Sequence, residues 1–191
     1  TLPEIVQFMA EFFENVLGRG VVYAKDTPNF VANRIATFGT CYVLREMLND
    51  GLTIEQVDAL MGRVSGHASS ACFRTLDMVG LDTLVHVLEN VYDACPDDEQ
   101  REYWTPTDLL QGMLKKGYLG DKTGSGFFKK TAERDEKGRS VILSLDLNTL
   151  EYTPQGDARF DCIGAAKKAK TPEDRLRIVH TSEDKGSQFL W

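Results

Sequence analysis

The sequence predicts a mainly α-helical domain, followed by a small β-hairpin and a C-terminal extension. Three observations predict it. Apolar residues recur at helical spacing in most segments before Gly117. Those segments are bounded by residues that start or stop helices, among them Pro28, Gly51, Thr53, Pro106 and Gly117. Strict two-residue alternation is confined to Val141–Asp146.

Taken in order, residues 1–18 read as a helix, with Ile5, Phe8, Met9, Phe12, Phe13 and Val16 at helical spacing. "GVVYAKD" then reads as a short buried strand. A helix followed by a strand is half of an α/β unit, so the chain looks as if it begins inside something larger. The next helix has Pro28 near its start and stops at Gly51. Val31, Ile35, Phe38 and Tyr42 make one apolar face of it. Asn33, Thr37 and Thr40 share another face, which is either an ordinary solvated stripe or the lining of a cleft. Asparagine is a poor helix former, so something other than the helix is expected to account for Asn33. Thr53 and Gln56 stand at capping-box spacing before a short amphipathic helix. Two more helices are expected around Phe73–Met78 and from a cap near Asp82 through Leu84, Val87, Leu88 and Val91. "TPTDLLQGMLKKG" reads as another, with two lysines in its last turn and Gly117 as its stop.

Composition excludes several functions. The chain has 191 residues, 42% hydrophobic and 27% charged, ordinary values for a globular domain. A net charge of −7 and the lack of a basic stripe argue against nucleic-acid binding. No apolar run reaches membrane-spanning length. The four cysteines are scattered and form no metal-ligand spacing, so reduced thiols and a cytoplasmic location are expected, with no metal. His67, His86 and His180 have no carboxylate partner at fixed spacing and are expected in surface or packing roles.

The glycine-rich stretch "GYLGDKTGSGFFKK" looks built for a phosphate, but its spacing is wrong. Asp121 stands where a phosphate loop needs glycine, directly before Lys122 and Thr123. Gly124 and Gly126 begin a dinucleotide fingerprint, yet Lys129 occupies its third glycine position. The stretch also follows a helix, whereas both phosphate motifs open one. A turn leading into a short strand at Phe127–Phe128 is the better reading. "TAERDEKGRS" is then loop-like, "VILSLDLNTLEYTP" a hairpin turning at Asn148–Thr149, and the remainder one or two short helices with an apolar end. Lys167, Lys168 and Lys170 are expected on a solvated helix face.

Three strings, "KDTPNFVANRI", "DMVGLDT" and "GYLGDKTGSGFFKK", occur in this order at these separations. Together they resemble the C-terminal domain of L-3-hydroxyacyl-CoA dehydrogenases of fatty-acid β-oxidation, over roughly residues 16–130. The resemblance implies a helical domain like the C-terminal domain of 6-phosphogluconate dehydrogenase. It divides the chain into 1–25, a remnant of an N-terminal Rossmann domain; 26–130, the helical domain; and 131–191, a hairpin and helical extension or linker. It implies that NAD and the catalytic His/Glu pair belong to the missing Rossmann domain, that the substrate is an acyl-CoA, and that the protein is a homodimer. By the same resemblance, Asn33 faces the cleft and positions substrate and catalytic groups, with Thr37 beside it. Arg34 is structural, and Lys122 is either a simple surface lysine or a point charge near a CoA phosphate. Two departures stand out: Asn29 where the family usually has glycine, and "GHASSACFRTLD" where many members have Gly-Pro before Phe73. That variant, with the hairpin, looks like the subgroup whose long polypeptide also carries an enoyl-CoA hydratase domain. The alternatives are a non-catalytic helical dimerisation or scaffold module, and the C-terminal domain of a dehydrogenase acting on a small hydroxy acid.

Overall fold

A computed structural model describes residues 1–191. Nine α-helices and one three-stranded antiparallel sheet follow the chain. The helices are α1 (Pro3–Glu11), α2 (Ala32–Asp50), α3 (Ile54–Leu60), α4 (Phe73–Val79), α5 (Leu81–Ala94), α6 (Asp108–Lys115), α7 (Asp161–Ala166), α8 (Pro172–Thr181) and α9 (Lys185–Leu190). The strands are β1 (Phe128–Arg134), β2 (Ser140–Leu145) and β3 (Tyr152–Pro154).

One core of 26 buried residues holds these elements together. α2 contributes Leu44 and Met47, α3 Ile54, Val57 and Leu60, α5 Leu81, Leu84, Leu88 and Val91, and α6 Leu110 and Met113. Trp104, Phe73 and Phe127 are the largest fully buried side chains. Local chemistry places the helix ends as the sequence suggests. The Thr53 hydroxyl accepts from the Gln56 amide at 3.3 Å, and the Gln56 side chain accepts from the Thr53 amide at 3.0 Å, a complete capping box on α3. The Thr107 hydroxyl accepts from the Leu110 amide and caps α6 without the reciprocal bond. α5 differs from expectation: it starts at Leu81 directly after Gly80, with no side-chain cap, and Asp82 is drawn away to Lys122.

The N-terminal segment departs further. α1 forms and continues into a π-helical turn, Phe12–Val16, but Leu2, Phe8, Val16 and Leu17 stay exposed. "GVVYAKD" forms no strand, and Val22 and Tyr23 are 77% and 72% exposed, the reverse of a buried strand. A strand needs a neighbour for its amides and carbonyls, and no edge of this chain's sheet is offered there. α2 begins at Ala32 and not near Pro28, because Asn29 and Phe30 take positive φ of 64° and 49°. Asn29 thus stands in the left-handed conformation that favours glycine.

The strand content is larger than the alternation alone implies. β1 runs from Phe128 to Arg134 and pairs with β2, Phe128 opposite Ser144 and Arg134 opposite Ser140. "TAER" is therefore strand and not loop. Its charges suit an edge strand, where they deter pairing with other chains. β2 pairs in turn with β3, Leu145 opposite Tyr152, across a turn in which Asp146 accepts from the amides of Asn148 and Thr149.

Residues beyond Lys130 join the same core. Leu145, Cys162, Ile163, Ala166 and Val179 all belong to it. Glu55 on α3 accepts from the Ser144 hydroxyl and from the Gly156 amide. Lys185 donates to the Asp50 carbonyl at the end of α2, and Gly186 sits against Leu60 and Phe160. The extension folds into three short helices where the sequence suggests one or two. Lys167, Lys168 and Lys170 lie on its exposed face.

Candidate functional site

The glycine-rich loop has a partner that spacing could not reveal. The Asp77 side chain, buried at the inner face of α4, accepts from the amides of Phe127 and Phe128, each at 2.8 Å. A Cβ on Gly126 would lie 2.0 Å from Asp77 Oδ1, and one on Gly120 would lie 2.3 Å from the Asp77 carbonyl oxygen. The glycines therefore let the loop close on a carboxylate. "DMVGLDT" and "GYLGDKTGSGFFKK" are two halves of one clasp. Burial pushes the Asp77 carboxyl up to about 6, against the pull of the Phe128 and Phe127 amides. This loop does not fit a dinucleotide, because Asp77 fills its cradle. A second carboxylate acts alike: Asp58 of α3 accepts from the amides of Cys72, Phe73 and Arg74 at the start of α4, at 3.1, 2.8 and 3.1 Å. Burial pushes it too up to about 6.

α2 positions the other named residues. Its C-terminal half is buried through Cys41, Val43, Leu44 and Met47. Asn33, Thr37, Thr40, Leu44 and Met47 step by four, three, four and three, so they form one continuous face. That face is core at Leu44 and Met47, while Asn33 is exposed and Thr37 and Thr40 are half-buried. The apolar face behaves in the opposite way. Val31, Ile35 and Tyr42 are exposed, and Phe38 and Tyr42 stack with Tyr103 at ring-centroid distances of 5.4 and 5.7 Å.

Arg34 is a structural residue. It bonds the Asp98 carboxylate and the Cys95 sulfur, and its guanidinium lies 5.7 Å from the Trp104 ring centre. Burial works to raise the Asp98 pKa, but the Gln100 amide, Arg34 and Trp104 outweigh it and hold the carboxylate below its usual range. Lys122 belongs to the glycine loop and pairs with Asp82 in the first turn of α5. Asn33 and Thr37 therefore share one helix face, and Lys122 sits in a separate unit built around the clasp. No three metal-ligating side chains converge anywhere. Sequence reasoning missed Asp58, Asp77 and Asp98, because their partners lie 14 to 64 positions away.

Beside the polar stripe, α2 and the segment 61–72 enclose a groove of about 590 Å³. Ala36, Gly39 and Thr40 line one side and Met61, Ala71 and Cys72 the other.

The half-emergent α2 and the clasped glycine loop belong to one mainly helical domain. The family model of the 3-hydroxyacyl-CoA dehydrogenase C-terminal domain matches residues 30–130, and the chain belongs to that family. A probable 3-hydroxyacyl-CoA dehydrogenase of Bacillus subtilis is 43% identical over 191 residues, covering 100% of this chain and 23% of the relative. A putative fatty acid oxidation complex trifunctional enzyme of Rickettsia prowazekii is 24% identical over 152 residues, 79% of this chain and 21% of the relative. The solved 3-hydroxybutyryl-CoA dehydrogenase of Escherichia coli superposes with a TM-score of 0.55 at 25% identity, over 71% of this chain and 28% of that one. The chain thus spans about a quarter of the length of each of these relatives.

Proposed function

We propose that this chain is one wall of the active-site cleft in an NAD-dependent L-3-hydroxyacyl-CoA dehydrogenase of fatty-acid β-oxidation. The whole enzyme oxidises a 3-hydroxyacyl-CoA to the 3-ketoacyl-CoA. The observation that carries the reading is the change of chemistry along one face of α2, from buried Leu44 and Met47 to half-buried Thr40 and Thr37 and exposed Asn33. An amide at that place can donate and accept, fixing a substrate carbonyl or a histidine tautomer on the facing domain. NAD, when bound, supplies the hydride acceptor. The residues present here do not fit it, so it and the His/Glu pair are assigned to an N-terminal Rossmann domain. Residues 1–25, with their exposed apolar side chains, are the end of that domain in this reading. What this chain contributes is orientation of the substrate. The chain alone is inert as a dehydrogenase.

The length of the Bacillus subtilis relative and the trifunctional Rickettsia prowazekii relative support a long polypeptide with an enoyl-CoA hydratase domain. No helix is long and apolar enough to cross a membrane. A cytoplasmic location is part of this proposal. The exposed Val31, Ile35 and Tyr42 face favours a homodimer, and taken without catalysis it is the observation behind a scaffold reading. In this reading Lys122, paired with Asp82 in the free chain, exchanges that partner for a CoA phosphate as a point charge.

The test is NADH formation from 3-hydroxyacyl-CoA by the full-length polypeptide, with and without Asn33→Ala. Loss of turnover in a folded variant supports the cleft wall. Full activity in the variant removes Asn33 from it, and no activity in the wild type leaves the scaffold. Native mass against concentration tests the dimer.

A further inference from the structure

The groove beside the polar stripe has an unexplained gap in its wall. Gly39 stands near the middle of the 19-residue α2, where glycine is the poorest helix former after proline. It is exposed, its φ lies outside the left-handed region, and a Cβ built on it meets nothing within 4 Å. Neither backbone geometry nor packing inside the chain requires glycine there. The open space above it is the groove.

The groove's chemistry and position specify an occupant. Its lining is mostly apolar: Ala36, Phe38, Val43, Met61 and Ala71, with Ile35 and Tyr42 shared with the exposed face. At about 590 Å³ it has the size of a small-molecule pocket, about 300–1,000 Å³. Thr40 belongs both to the groove and to the stripe that starts at Asn33, seven residues or about 10 Å along the helix axis. A molecule whose polar end meets Asn33 and whose apolar end runs along the stripe enters the groove.

We propose that this groove takes the alkyl tail of the acyl-CoA, and that Gly39 is the specificity-determining residue that keeps it open. The proposal rests on the cleft-wall reading above. A longer tail buries more methylenes, each adding about fourfold to kcat/KM until the groove is full. A side chain at position 39 shortens the tail that fits. It adds no clash inside the chain and improves the helix, so the substitution is compatible with folding.

The experiment measures kcat/KM of the full-length polypeptide for 3-hydroxybutyryl-, 3-hydroxydecanoyl- and 3-hydroxyhexadecanoyl-CoA, wild type against Gly39→Leu. Melting temperature and native mass are recorded for both proteins. The expected result is a fall of about tenfold or more in the long-to-short ratio, with melting temperature not lowered and mass unchanged. An unchanged ratio overturns the proposal and leaves the cleft wall standing. An equal loss at every length with halved mass also overturns it, showing that a second copy covers the groove. A wild type inactive on all three esters takes down the underlying reading together with the proposal.

Discussion

The two halves of α2 share one backbone and one continuous face, yet they answer to different surroundings. In the C-terminal half that face is Leu44 and Met47, sealed in the core. In the N-terminal half it is Asn33, Thr37 and Thr40, while Ile35 and Tyr42 look outward to solvent. The inner half has the pattern of a helix stabilised by its own domain. The outer half has the pattern of a helix shaped by something that is not in this chain. Amphipathicity therefore identifies the helix correctly, but of the apolar stripe it picks out Phe38 packs against the core while Val31, Ile35 and Tyr42 stay exposed.

Four substitutions or titrations sharpen the contrast, the largest effect first. Asn33→Ala is expected to lower turnover of the full-length polypeptide about a hundredfold, the usual size for a group that positions acid–base chemistry. Its urea midpoint should not move, and a shifted midpoint would make the outer half structural after all. Leu44→Ala should do the opposite, costing about 2–5 kcal/mol of stability. Urea unfolding would measure it, and a loss under about 1 kcal/mol would deny the inner half its role in the core. Arg34→Ala sits between the two. It strips a half-buried cation from Asp98, whose side chain is 7% exposed, and should cost about 1–3 kcal/mol by the same measurement. A neutral result would mean that water satisfies Asp98.

The last test is in pH. Asp58 and Asp77 are both raised to about 6 by burial, above the value of about 3.9 for an unfolded aspartate. The folded chain therefore holds protons that the unfolded chain has released. The stability these groups contribute is present below about pH 4 and is lost as pH rises through about 6. Asp77→Asn should flatten that part of the curve while lowering it throughout, because one of two amides loses a full acceptor. Melting temperature against pH for both proteins checks it, and identical slopes would refute it.

Much of the helical framework was legible. Thr53 with Gln56, Gly51 and Gly117 are short-range signals, and the chain obeys them. The failures share a cause, which is that the deciding partner is remote or absent. "GVVYAKD" has strand composition and no sheet edge to join. "TAER" has loop composition, yet β2 lies beside it and draws it into a strand. The glycine loop lacks the spacing of either phosphate motif. Its true partner, Asp77, lies 50 positions away from Phe127 and leaves no periodic trace. Asn33 and Thr37 could be found as a stripe, but the groove beside them could not, because its far wall comes from residues 61–72.

The extension carries a consequence for how the domain is made. Gly186 sits against Leu60, Arg175 reaches the Arg63 carbonyl 112 positions earlier, and Lys185 reaches the Asp50 carbonyl 135 positions earlier. A nascent chain emerging from the ribosome builds α2 to α6 first, with one side of α3 still bare. That apolar surface stays open until the segment around Gly186 is synthesised. Domains otherwise tend to fold as units during synthesis, in order from the N-terminus. Here the piece that closes α3 is made after α2 to α6, so a chaperone has its longest opportunity at α3, and a ribosome stalled before Gly186 leaves that surface bare.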